Sequence, residues 1–198
     1  METKKMSEKE SLAIIATMMQ ETREYFEKGS GNIMLLWGYL SAFVSIGIYI
    51  GWTLTQNIQV MWGWWLLPLI GFPGMLFLRK GQARHVKTLI GEMIGKVWSV
   101  IGICTLLIPL VNMFTGHIPI LFLEVLLVNI GIAITGLMIR YKVIYLPGFA
   151  GIGISFLFLF VSWKVQILIF ALLFIVLMVI PGHLLNRKAA KKQTESLC

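Results

Sequence analysis

The sequence predicts an all-α, polytopic membrane protein with six transmembrane helices, both termini cytoplasmic, and an N-terminal amphipathic helix on the cytoplasmic side. Three observations predict it. Hydrophobic residues make up 58% of the 198 positions and charged residues 13%, whereas a soluble domain is about 45–50% apolar and about 25% charged. Six long apolar stretches alternate with short polar gaps. Each stretch of about 20 residues suffices to cross a hydrocarbon core of about 30 Å, and together they leave no room for a second globular domain. Finally, sixteen of the seventeen Lys and Arg residues lie in the N-terminal arm, the second and fourth gaps and the tail. The first, third and fifth gaps (53–59, 115–119 and 162–164) hold only Lys164. Basic loops are retained on the cytoplasmic side during insertion, which orients all six spans.

Residues 1–31 read as a cytoplasmic helical arm. Ser7 and Glu10 form an S-x-x-E capping box ahead of a helix over 7–28. Leu12, Ile15, Met19 and Phe26 recur at helical spacing, with Ile14, Met18 and Tyr25 beside them. Gly29-Ser30-Gly31 is expected to stop the helix. The polar face mixes five basic with six acidic residues, unlike the Lys/Arg-rich face of a membrane-surface anchor. The apolar stripe is therefore expected to pack on protein, either capping its own bundle or docking a partner.

The bundle is expected over 32–186 as three helical hairpins. The first span, 33–54, carries Gly47-x-x-x-Gly51, a spacing that permits close helix packing. The second, 60–78, has Trp62, Trp64 and Trp65 at its outer end as an aromatic belt, and Pro68 and Pro73 to bend it. Residues 79–96 predict a short amphipathic helix running into the third span, 97–114. Glu92 and Lys96 are spaced i,i+4 there, and Gly91-x-x-x-Gly95 repeats the packing motif. Pro119 precedes the fourth span, 120–139, where a proline suits a helix start. The fifth, 143–161, is thinned by Pro147, Gly148, Gly151 and Gly153. The sixth, 165–185, holds the most uniformly apolar run, 167–180, and is expected to face lipid on several sides. Residues 187–198 form a polar cytoplasmic tail, expected to be irregular beyond Lys192.

The net charge is +8, and the arm is near neutral, so the excess lies in the loops and tail. Membrane orientation accounts for it, with anionic lipid as the counter-charge and no nucleic acid. There is no Asp, which removes Asp-centred phosphoryl-transfer sites. Cys104 lies in a span and Cys198 at the end, so no disulfide framework is expected. The charged, amphipathic start is not expected to be a cleaved signal peptide, and the first span is expected to serve as its own insertion signal. His85, His117 and His183 share no metal-ligand spacing. No P-loop, G-x-S-x-G or Cys/His pair is present. The expectation is of no metal, no cofactor and no enzymatic activity.

Glu124 is the acidic residue inside the apolar part of a span, about four residues or roughly 6 Å from the outer end of the fourth helix. An ionisable group in hydrocarbon should face the bundle or a cavity. Asn112 and His117, in and near the third gap, are its candidate neighbours. Asn129 lies five residues further on, about 140° around the helix, and reads as interhelical glue.

Glu10-Ser11-Leu12 with Ile15 and Met18-Met19, Leu35-Leu36-Trp37-Gly38 at the start of the first span, and Arg84-His85-Val86-Lys87-Thr88 with Ile94-Gly95 and Trp98 together resemble a family of small, uncharacterised bacterial integral membrane proteins. The resemblance covers about residues 10–105. It implies a cytoplasmic helix on a membrane bundle in the bacterial inner membrane, and carries no catalytic or binding residue. Two functional readings follow from the residues. One is an interaction or regulatory membrane subunit that docks a cytoplasmic or membrane partner through Leu12, Ile15, Met19 and Phe26. The other is a small-solute transporter or substrate-capture subunit with a site near Glu124. The two G-x-x-x-G motifs also admit a homo-oligomer.

Overall fold

The computed structural model describes residues 8–80 and 89–195, with the side chains of 8, 11, 21–30, 79, 188, 189 and 191–195 left out. Seven α-helices in this range build six membrane spans. They are α1 (Glu8–Thr55), α2 (Leu66–Lys80), α3 (Leu89–Thr115), α4 (Ile120–Met138), α5 (Lys142–Ser155), α6 (Trp163–Phe174) and α7 (Ile180–Glu195). A 3-10 segment, Ile58–Trp65, leads into α2, and another, Phe156–Leu159, extends α5. The protein is an all-α polytopic membrane protein, and the two ends of the described chain, residues 8 and 195, lie on the same side of the bundle because the number of spans is even.

Gly29-Ser30-Gly31 does not stop the first helix. α1 runs unbroken for 48 residues, about 72 Å at 1.5 Å per residue. A glycine inside a helix costs only about 1 kcal/mol, and the span that follows cannot leave backbone groups unpaired in hydrocarbon. Gly31 has a different role, as a contact point. A Cβ there would lie 2.0 Å from Asn186 Oδ1 and 3.0 Å from the Gly182 carbonyl of α7. The last helix likewise outruns its expected end and continues to Glu195. Its Ala, Lys and Gln residues favour helix, and its basic residues suit a helix C-terminus. Residues 196–198 lie outside the described range. So do residues 81–88 of the helix expected over 79–96; its described parts are the end of α2, to Lys80, and about the first two turns of α3, from Leu89.

The sixth span does not face lipid on several sides; its exposed residues form one stripe, Leu168, Leu172, Val176 and Ile180. Of the residues in its most apolar window 56% are buried, against 6% for the second and third spans. In a membrane, being apolar all round suits lipid and core alike, and packing decides: α1 lies along α6 and α7 while α4 meets α6. Phe170 stacks on Phe174 with ring centroids 4.5 Å apart, and Trp64 meets Phe170 edge-on. The chain between α6 and α7 (Ile175–Val179) is a π-helical turn, in which Ile180 N–H bonds the Ile175 carbonyl. Pro181 explains it: proline has no N–H, and its ring clashes with the carbonyl four residues back, which the wider turn relieves.

Pairing also departs from three hairpins. α1 packs with α2 and α3 with α4, but α5 packs on α4, and α6 leaves it for α1. The α4–α5 pair is the closest in the bundle. A Cβ on Gly136 would lie 2.4 Å from Tyr145 N, and one on Gly148 would lie 2.6 Å from Ala133 N. The G-x-x-x-G motifs read from sequence are used less: Gly47 and Gly95 have nothing within 4 Å, and Gly51 meets only Val60. The small-residue face that α1 does bury is Gly38, Ser41, Ala42 and Ser45.

Gln56, just past α1, and Arg140, just past α4, adopt left-handed φ values of 51° and 49°. Arg140 is the turning residue of a helix cap in which Tyr141 N–H reaches back to the Gly136 carbonyl at 2.8 Å. A non-glycine residue in this region costs about 1–2 kcal/mol. Gln56→Gly, away from the core, is therefore expected to raise stability by about 1 kcal/mol, read from denaturant unfolding in detergent. A fall would show that the exposed Gln56 side chain, which donates to the Thr53 carbonyl at 3.3 Å, outweighs the relief.

Candidate functional site

Of the four residues expected at an intramembrane polar site, Asn112, His117 and Asn129 bond locally and Glu124 does not. Asn112, in the last turn of α3, accepts from Ile118 N–H through Oδ1 at 2.9 Å, which pins the loop between α3 and α4. His117 Nδ1 faces the Thr115 carbonyl in the same loop, and its ring is exposed. Glu124 lies in the second turn of α4, next to the fully buried Val125. Its Oε1 is buried with no hydrogen-bond partner among the described residues. Asn112 thus does not hold Glu124 through its amide oxygen, and the four do not converge on one point. Among the described residues no group of three or more His, Cys or Glu is placed to hold a metal.

Asn129 is not a hydrogen bond between helices. Its Nδ2 donates to the Val125 carbonyl of its own helix at 2.8 Å. The amide nonetheless glues α4 to α5 by another contact. A Cβ built on Gly151 would lie 1.9 Å from Oδ1, so the Gly151 Cα–H in that direction points at an oxygen that has no N–H or O–H donor. Gly31 and Asn186 repeat the arrangement between α1 and α7. Such Cα–H···O contacts recur where helices touch backbone to backbone. Hydrogen bonds that join helices among the described residues include Trp98 Nε1–H to Thr135 Oγ1 (3.1 Å), Asn186 Nδ2 to Asn32 Oδ1 (2.7 Å), and Tyr39 Oη with His183 Nε2 (2.9 Å). None of these pairs has a spacing signal in the sequence; each depends on which helices become neighbours.

Glu124→Leu is expected to stabilise the protein by about 1–3 kcal/mol, because the wild-type oxygen loses its water on burial and gains no donor. Thermal unfolding in detergent measures it. A destabilised variant would mean that the carboxyl group has a partner in the native membrane.

At the other end of the molecule the expected docking stripe is open. Leu12 is 66% exposed, Ile15 51% and Ile14 42%. Met19 is half-buried, and the side chain of Phe26 lies outside the described residues. The stripe therefore does not cap the bundle at Leu12 and Ile15. The reason is the continuous α1: an unbroken helix carries residues 8–30 on for about 34 Å along its axis before its span begins. The resemblance motif at 35–38 is a packing junction. Leu35 lies against Gly182, Leu36 against Gly74, Trp37 against Gly71, and Gly38 against Met178 and Val179. Lys164 sits 6.0 Å from the Trp163 ring, and that ring stands edge-to-face with Trp52.

Fold and site together define a six-span α-helical membrane protein whose first helix continues well beyond its span with exposed apolar residues. Comparison with family models, curated proteins and solved structures finds no match to this chain.

Proposed function

We propose that this protein is an interaction or regulatory membrane subunit of the bacterial inner membrane, which docks a partner protein through the N-terminal part of α1. The basic residues of the arm, the second and fourth gaps and the tail support a cytoplasmic side for both termini. The resemblance of residues 10–105 to small bacterial membrane proteins belongs to the same reading. The observation that supports it is the stripe begun by Leu12 and Ile15, exposed on a helix that continues unbroken into the first span. The flanking polar residues carry both signs, so the occupant is an uncharged apolar groove or helix face and not an anionic surface. A rigid arm joined to a span also offers a way for an event at the partner to bias the bundle. Self-association through the open Gly47 face is compatible with this role.

The test compares full-length protein, gently extracted from its own membranes, with Leu12→Glu/Ile15→Glu. Native mass spectrometry should find a stoichiometric partner on the wild type and none on the variant, with the bundle still folded. The same companion on both proteins would overturn the reading. The alternative of small-solute transport rests on the unpaired Glu124 oxygen. It is weakened because Asn112, His117 and Asn129 bond elsewhere.

A further inference from the structure

The apolar stripe of the arm does not end where the first span begins. Written as heptads with Ile15 at a, the arm places Met18 at d and Leu12 and Met19 at e. Lys9, Glu10, Arg23, Glu24 and Glu27 fall at b, c and f. Carried on through the unbroken α1, the same register puts Phe43 and Ile50 at a, Tyr39 and Ile46 at d, and Gly47 and Leu54 at e. These six positions are the face of the span that the bundle leaves open, with Phe43 71% exposed and Leu54 78%. The bundle covers c, f and g instead, where Gly38, Ser41, Ala42, Ser45 and Ile48 lie. One heptad register thus joins a stripe on the arm to a stripe on the span. On a straight helix a seven-residue repeat drifts about 20° per heptad, so over the four heptads from Ile15 to Phe43 the two stripes would stand about 80° apart. Left-handed supercoiling about a second helix closes that angle.

The occupant follows from what can match both halves. A soluble protein covers the arm alone, and lipid covers the span alone. A second copy has the same orientation and depth, because the membrane sets both, so its stripe meets this one in register along the whole helix. The area is sufficient. An aromatic side chain buries about 150–250 Å² in full, so a large side chain that is about half open presents roughly 100 Å². Leu12 and Ile15, with the five large side chains open on the span, then offer roughly 700 Å² per copy, close to the about 800 Å² of a standard interface. Charge does not oppose the pairing, since the arm holds five basic and six acidic residues and two arms side by side carry little net charge. We propose that the protein forms a parallel two-fold pair through α1, with positions a, d and e of the two copies facing each other from Leu12 to Leu54. Gly47, with nothing within 4 Å, lets the two helices approach. The pair rests on the docking reading and names its partner as a second copy of the chain.

Disulfide trapping in isolated membranes tests it, in the full chain carrying Cys104→Ser and Cys198→Ser. Ile15→Cys on the arm and Ile46→Cys in the span, at a and d beside the two-fold axis, should each yield a covalent dimer on mild oxidation. Ala13→Cys, at f on the arm, and Val100→Cys, at a position 61% exposed on α3, should stay monomeric. Native mass spectrometry of the gently extracted protein should find two chains in the wild-type complex and one in Leu12→Glu/Ile15→Glu. Trapping at Ile15→Cys without trapping at Ile46→Cys would mean that lipid covers the span, and would overturn the pair. So would trapping at Val100→Cys equal to that at Ile46→Cys, or a complex of three or more copies. A single copy carrying a different protein on its arm would overturn the pair and leave the docking reading standing, whereas a single bare chain would overturn both.

Discussion

Gly136→Val should unlatch α4 from α5 and lower the unfolding free energy by about 3 kcal/mol, the upper part of the usual range for overpacking. What the new side chain would meet is backbone. A Cβ there lies 2.4 Å from Tyr145 N and 2.8 Å from Tyr145 Cα, and α5 cannot yield without moving as a rigid helix. That movement would also carry Gly148 off Ala133 and Gly151 off the Asn129 amide, two contacts of the same seam. Gly153 supplies the comparison. It lies on α5 with nothing within 4 Å, so Gly153→Val should change stability by no more than about 0.5 kcal/mol. Reversible unfolding in mixed detergent micelles measures both. Equal stability of the two variants would contradict the backbone-to-backbone approach described for α4 and α5.

Leu12→Glu/Ile15→Glu should have an opposite profile, with no loss of stability and a large loss of association. Burying a Leu or Ile side chain against a partner contributes about 1.5–3 kcal/mol each. Losing both anchors and placing two carboxylates in the interface should weaken the complex by more than about a hundredfold. Leu12 and Ile15 touch little of the bundle, being 66% and 51% exposed, so unfolding should match the wild type. Thr17→Glu, on the opposite face of the helix, should leave association intact. A variant that loses stability as well as partner would place the arm within the bundle instead.

The two predictions differ in how far the sequence foretold them. The docking stripe is periodic, and residues 12, 15 and 19 mark a helical face whatever surrounds it. Its openness is not periodic: the same pattern reads as a cap over the bundle, and only the continuation of α1 through Gly29-Ser30-Gly31 keeps Leu12 and Ile15 away from it. The α4–α5 seam was hidden for a similar reason. Gly47-x-x-x-Gly51 and Gly91-x-x-x-Gly95 carry the spacing for close packing, yet Gly47 and Gly95 face nothing. Gly136, Gly148 and Gly151 do the packing, with Ala133 and Asn129 between them. Spacing shows where helices can approach, and only the pairing order shows where they do.

By itself the sequence determined the class of the protein. Apolar run lengths established six spans, because unpaired backbone in hydrocarbon permits nothing but helices there, and Lys/Arg placement supplied an expected orientation. These are properties of each segment against its solvent. The tertiary structure decided what depends on neighbours. It made the uniformly apolar sixth span a central helix, and it turned a glycine stop into the contact between α1 and α7. It kept Asn112 from Glu124, and it brought Tyr39 to His183 and Asn32 to Asn186 across more than 140 residues of chain. In a membrane the hydrophobic effect places helices but does not choose their partners. That choice comes from close packing and a few hydrogen bonds, and both are set by three-dimensional fit.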